Sequence, residues 1–288
     1  MHKNEFIMKP KVDFCFKELM DDDEVRRGFI AAVLNLPPEK IEKTILLPTH
    51  LRKEHAEDKL GILDVRALLK GNVQIDIEMQ VMAFAYWTER SLFYLSKMYT
   101  EQIKAGDSYN VLKKCIHIGI LDFNLFESRE FYSRFHIWED SRRELYSDKM
   151  EIHILELAKL NRYDYPKTVL LNWAQFFNAE TREELEMFAK SDRYVQKAYD
   201  KLVDISADEQ KRLEYEEREK ALRDRSILII TGKEEGIKQG LEEGIKQGKK
   251  EGLKLAREIL RLYKTGISPE QIAKECGVSV EEVKEILE

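Results

Sequence analysis

The chain has 288 residues, enough for one domain of ordinary size plus an appendage. No apolar run approaches a membrane span and the N-terminus lacks a signal-peptide core; three distant cysteines (Cys15, Cys115, Cys276) in no metal-ligand spacing and six scattered histidines forming no zinc motif point to a reducing cytoplasm. A net charge of −6 weighs against nucleic-acid binding through overall basicity, but much of the acid lies beyond Ala207, leaving Lys9, Lys11, Lys17, Arg66, Arg90, Lys97 and Lys104 to gather around an earlier core.

Residues 13–35 carry helical apolar spacing (Phe14, Phe16, Leu19, Val25, Phe29, Val33, Leu34) and stop at Pro37-Pro38. A strand is expected over Ile41–Leu47, ended by Pro48, followed by a charged loop, His50–Lys59. Leu63–Val81 reads as a pair of strands. In its second half Val73, Ile75, Ile77, Met79 and Val81 point one way, while Gln74, Asp76, Glu78 and Gln80 point the other. A long helix is expected over 82–105. Cys115–Phe123 is a buried-type apolar strand, and Phe131–Trp138 and Glu151–Leu157 are further strands.

The register of the hairpin matters most. A three-residue turn, Lys70-Gly71-Asn72 with Asn72 left-handed, pairs Leu69 with Val73, Arg66 with Asp76 and Asp64 with Glu78. Facing residues have Cβ atoms roughly 4.5–5.5 Å apart, so the two carboxylates repel unless a cation separates them. A Mg²⁺ ion held at about 2.0–2.1 Å by each would fit. The opposite charges of Arg66 and Asp76 support this register. A two-residue turn would instead put Asp64 and Glu78 on opposite faces. Alternation by itself is also what a solvated outer sheet face shows.

Beyond Asp164 the pattern is helical, with Trp173, Phe176 and Phe177 set to pack on the core. From Asp208 the chain reads as one charged helix with glycine at every fourth position from Gly232 to Gly252, beside a stripe of Ile237, Leu241, Ile245 and Leu253. A period above 3.6 favours right-handed wrapping if two such helices pack. Each interior glycine costs about 1 kcal/mol relative to alanine. Close approach of a partner helix would compensate; a flexible stalk would explain the glycines equally well. Ser268–Glu288 reads as two short helices around Gly277-Val278-Ser279, with Ser268 as N-cap and Pro269 at the first helical position. The second of these carries four glutamates, Glu288 included, against one lysine, which suits packing or oligomerisation better than DNA readout.

The pattern Asp64–x13–Glu78–x–Gln80 is similar to the active site of PD-(D/E)XK nucleases, with Gln80 where lysine usually stands. With Lys11-Val-Asp13-Phe-Cys-Phe16-Lys17, and with Arg90-Ser-Leu-Phe-Tyr94 followed by Gln102, Gly106 and Tyr109, the chain resembles the Rpn family of recombination-promoting nucleases and transposases of that class. The resemblance is close over residues 8–160. It implies an α/β restriction-endonuclease-like core, a mixed sheet flanked by helices, with a C-terminal long-helix extension. The expected organisation is a nuclease-like core over 1–160, a helical part packed on it over 161–206, a glycine-periodic stalk over 207–262 and a helix-turn-helix-like unit over 263–288.

The resemblance further implies a metal-dependent DNA endonuclease linked to recombination or transposition. Asp64 and Glu78 would ligate Mg²⁺ (or Mn²⁺), with the Met79 carbonyl as a third ligand. Gln80 would orient the attacking water, since its amide carries no charge and is no base. Lys17 or Arg90 would supply the cation that lysine brings elsewhere. Asp13, Arg90 and Tyr94 lie in the motifs nearest the site; Asp13 reads first as a helix N-terminal acid favoured by the dipole. Tyr94, Gln102 and Tyr109 are assigned positioning or core roles. The expected partners are DNA and a second copy of the chain, a dimer through the C-terminal helix, with no membrane. The rival reading is a weak or inactive nuclease fold serving as a DNA-binding or assembly module through its helical C-terminal region.

Overall fold

The computed structural model describes residues 6–51 and 63–288. Its first helical stretch is two helices where one was expected, α1 (Asp13–Asp21) and α2 (Asp23–Leu34). The apolar spacing runs through both, but Asp22 is extended (φ −75°, ψ 125°) and its carboxylate accepts from the N–H groups of Glu24 and Val25 at 2.9 and 3.1 Å. A capping acid restarts the helix in a new direction. Asn35, left-handed at φ 52°, ends α2 before the prolines.

The sheet comprises β1 (Ile45–Leu47), β2 (Val65–Leu68), β3 (Gln74–Gln80), β4 (Cys115–Leu121), β5 (Tyr132–Trp138) and β6 (Leu145–Glu156), in the order β1-β2-β3-β4-β6-β5. β3, β4 and β6 run parallel in the middle; β1, β2 and β5 pair antiparallel at the sides. β1 is shorter than expected, and residues 52–59 of the charged loop lie outside the described residues. The hairpin adopts the three-residue turn: Gly71 and Asn72 have φ 80° and 61°, and the Leu69 N–H donates to the Val73 carbonyl at 2.8 Å. Arg66 therefore faces Asp76, and Val65 faces Ile77.

Helices cover both faces. Ile75, Ile77, Met79, Ile116, Ile118 and Ile120 join the main core with α1 and α2 and with α4 (Val169–Asn178) and α6 (Arg193–Ala207). Trp173, Phe176 and Phe177 lie fully buried in that core, with Phe177 edge-on to Phe16 and Phe29 at 5.7 and 5.2 Å. The short α5 (Arg182–Ala189) packs on α4 and α6. The polar face of β3 is roofed by α3 (Trp87–Thr100), shorter than the helix expected over 82–105. Leu95 and Met98 of α3 pack with Cys115, while Trp87 packs with Leu121 and Ile154. Gly119 of β4 makes room for this: a Cβ there would lie 2.7 Å from Cζ2 of Trp87.

Packing divides the chain into two units, residues 1–222 and 223–288. The boundary falls within α7 (Glu209–Lys264). In the second unit α8 (Pro269–Cys276) and α9 (Val280–Leu287) close a small core of Ile259, Ile272, Ala273 and Val283. Ser268 stands at the N-cap of α8 without a side-chain cap bond, whereas Ser279 makes a full capping box with Glu282. Along α7, Ile237, Leu241, Ile245 and Leu253 are exposed, and a Cβ built on any of the glycines from Gly232 to Gly252 meets nothing within 4 Å beyond its neighbours in the chain and the helix's own backbone, among the described residues.

Gly119→Ala should destabilise the first unit by about 1–3 kcal/mol, because the new methyl meets a rigid indole. Urea unfolding checks this, and the tryptophan emission of the folded variant should shift as Trp87 is displaced. Unchanged stability and emission would show that the indole can yield.

Candidate active site

The site grows from the end of β3 that leads into α3. Asp64 lies immediately before β2, where the hairpin register brings it beside the far end of β3. Its Oδ2 accepts from the Met79 N–H at 3.2 Å, and its Oδ1 pairs with Nζ of Lys17 at 3.1 Å. Lys17, on α1, also pairs with Asp13 at 2.8 Å, one turn earlier on the helix. Lys17 and Asp13 are thus placed beside Asp64. Burial lowers the Lys17 pKa, but the Asp64 and Asp13 carboxylates outweigh it and raise it on balance. Burial raises the pKa of Asp64 despite Lys17.

Glu78 points from β3 toward α3 and is 2% exposed. Its Oε2 meets Nη2 of Arg90 at 3.1 Å; the same nitrogen donates to Oε1 of Gln80 at 2.9 Å. The Gln80 amide nitrogen donates to the Met82 carbonyl at 2.9 Å, so both ends of that amide are engaged. The Arg90 guanidinium lies against Trp87, Phe84 and Tyr94, 4.8, 5.4 and 5.9 Å from their ring centroids. Tyr94 therefore has a place in the bed of Arg90. Gln102 pins the start of β4 by accepting from the Lys113 N–H at 2.8 Å and donating to the Lys113 carbonyl at 3.1 Å. Tyr109 is 83% exposed, which rules out a core role and leaves the positioning alternative.

Two features depart from the sequence reading. Arg66 faces Asp76 in the register but does not pair with it; its Nη2 goes to Gln74 Oε1 at 2.7 Å and Glu101 Oε2 at 2.8 Å. Asp76 instead meets His117 of β4, Oδ2 to Nδ1 at 2.7 Å, and both side chains are fully buried. Asp76, Glu78 and His117 form a group whose potential ligand atoms lie within 4.8 Å of one another. His117 was hidden inside an apolar strand. The available signal was parity: β3 and β4 are parallel neighbours, and His117 stands opposite Asp76.

The site is rich in negative charge. Burial, the neighbouring Asp76 carboxylate and the more distant Asp64 push Glu78 up to about 7, against the pull of His117 and Arg90. Asp76 is raised well above its ordinary value, chiefly by burial. His117 is lowered to about 4 by burial, so its ring is neutral at pH 7.

Among the described residues, Lys9, Lys11, Lys17 and Arg90 are committed to carboxylates. Lys9 and Lys11 converge on Glu180 at 2.6 and 2.7 Å, and Lys11 also meets Asp122 at 3.0 Å. They do not form one phosphate-facing patch in this arrangement.

The raised pKa of Glu78 has a definite sign. Between about 4.5 and about 7 the folded form keeps a proton that the unfolded chain releases. Stability must therefore fall as pH rises through that window, by on the order of 3 kcal/mol for this residue. Denaturant unfolding in EDTA at pH 5 and pH 8 should show a larger loss for the wild type than for Glu78→Gln, which cannot ionise. Equal losses would mean that Glu78 titrates alike in both states.

No curated protein and no solved structure matches the chain. A family model does, the PD-(D/E)XK nuclease family transposase, over residues 10–232. That span takes in the whole sheet, α1 to α6 and every residue of the site, and the chain therefore belongs to the PD-(D/E)XK nuclease family transposases.

Proposed function

We propose that this protein is a divalent-metal-dependent endonuclease that hydrolyses DNA phosphodiester bonds in transposition or recombination. The observation that carries the reading is the convergence of Asp64 on the Met79 N–H, next to Glu78, at the carboxyl end of β3. Carboxyl ends of parallel strands are where α/β sheets hold their ligands.

The residues fit a hard cation. Asp64 and Glu78 offer carboxylate oxygens, and burial raises the pKa of both, as expected of acids short of positive charge. Asp64, Glu78 and the Met79 carbonyl would hold Mg²⁺ or Mn²⁺. When bound, the ion would polarise the scissile phosphate and lower the pKa of a coordinated water.

The remaining work falls to the chain. Lys17 offsets the charge of Asp64 from α1. Arg90 is the cation nearest Glu78 and Gln80, and its aromatic bed keeps it aimed at the end of β3. It stands in for the missing lysine, stabilising charge that builds on the phosphate. Gln80, held through its nitrogen by the Met82 carbonyl, keeps a second lone pair on Oε1 that accepts a hydrogen bond from the attacking water and orients it.

The purified protein should cleave duplex DNA in Mg²⁺ or Mn²⁺ and not in EDTA. Asp64→Ala and Glu78→Ala should each lower the rate at least 100-fold, and Gln80→Ala by less. Arg90→Ala should also slow cleavage while tightening Mn²⁺ binding, because it removes a cation that competes for Glu78. Full activity in Asp64→Ala would sink the mechanism. DNA binding without cleavage by the wild type would favour the assembly reading, which the engagement of both ends of the Gln80 amide supports.

The partner we propose is a second copy of the chain. The exposed row of Ile237, Leu241 and Ile245 beside open glycine positions supports a helix–helix contact along α7, because apolar side chains gain from burial where backbones can come close. Two copies would also give a duplex one active site for each strand. Sedimentation should show a dimer for the wild type at micromolar concentration and a monomer for Leu241→Glu/Ile245→Glu. A monomer in both cases would leave α7 as a tether.

A further inference from the structure

The three-residue group beneath Arg90 holds more ligand capacity than the Asp64–Glu78 pair needs. Asp76 reaches His117 through Oδ2, while its Oδ1 is buried and meets no partner among the described residues. His117 uses Nδ1, while its Nε2 is equally buried and equally unmet. Asp76 and His117 are 0% exposed, so water at the surface satisfies neither atom. Buried polar atoms in folded proteins overwhelmingly have partners, and a carboxylate oxygen and an imidazole nitrogen both left unmet within one group of candidate ligands signal a ligand.

Charge points the same way. Among the described residues, Glu78 has one guanidinium contact and Asp76 has no lysine or arginine within ion-pair distance, since Arg66 is held by Gln74 and Glu101. Two carboxylates and an imidazole thus share a space 4.8 Å across with Arg90 touching only one of them.

We propose that Asp76, Glu78 and His117 form a second cation position, inboard of the one assigned to Asp64 and Glu78 and sharing Glu78 with it. The inference rests on the nuclease reading only through that shared residue. An imidazole nitrogen in the ligand set suits Mn²⁺ or Zn²⁺ better than Mg²⁺, which takes oxygen. The outer position, with oxygen donors alone, accepts either. The inner ion therefore differs from the outer one in chemical preference, and two such ions around one carboxylate make a paired centre.

Titration of the full-length protein with Mn²⁺, without DNA, tests this by electron paramagnetic resonance. The wild type should bind two Mn²⁺ per chain. Excess Mg²⁺ should displace one of them, with the retained ion preferring Mn²⁺ over Mg²⁺ at least tenfold. Pulsed measurements on the retained ion should show coupling to a directly bound imidazole ¹⁴N, a signal that needs no variant and so does not depend on one folding. Asp76→Asn and His117→Asn should lose the inner ion and keep the outer; Asp64→Asn should do the reverse. A fully loaded wild type with one Mn²⁺ per chain, or with no nitrogen coupling, overturns the proposal. If that protein still cleaves DNA, the nuclease reading stands alone. If two ions bind with nitrogen coupling and no DNA is cut, the inner position stands and the nuclease reading falls.

Discussion

The first unit depends on putting carboxylates inside a sheet. Asp76 and Glu78 stand on a central strand with helices on both sides, where an uncompensated charge is costly. The helix that roofs them must bring compensation with it. Arg90 does so from α3, and it can because Trp87, one turn earlier and packed with Leu121 and Ile154, carries it. Trp87 in turn sits where β4 has no side chain, at Gly119. A line of contact thus runs from a glycine on β4 through an indole and a guanidinium to the acid opposite that glycine in the register. Backbone, packing and charge are coupled at one point.

The same accounting bears on how an acidic protein meets DNA. The cations around the site exist, but Lys9, Lys11, Lys17 and Arg90 are paired with carboxylates of the chain. Under the nuclease reading, phosphates and cations must exchange partners with these pairs. Recognition then becomes a swap of one anion for another, with less counterion release than an open basic groove gives. An acidic net charge is compatible with this arrangement, because the relevant quantity is the local balance at the end of β3.

Much of this was legible in the residues. Lys70-Gly71-Asn72 specified a turn that only certain backbones can make, and the turn set the register that brings Asp64 to Met79. Alternation assigned the faces of β3 correctly, but it could not say that the polar face would be covered. The pattern is the same whether water or α3 lies above it. The break at Asp22 escaped because apolar spacing continues across it, and only the capping bonds reveal a second helix. His117 escaped for a different reason. Its partner lies 41 residues away on a parallel strand, and no local periodicity encodes the registration of β3 with β4. Arg66 misled because facing positions in a ladder are opportunities; the longer reach to Glu101 won.

The contact between Gln80 and Arg90 has an evolutionary side. The glutamine oxygen receives the guanidinium at 2.9 Å, so a lysine at position 80 would set two cations against each other over one carboxylate. Under the nuclease reading, arginine at 90 and lysine at 80 would be alternative ways of delivering a single positive charge to the same place. A lineage passing from one to the other must cross an intermediate with two such charges or with none. On that reading the two positions would change together, and the glutamine would be half of an exchange.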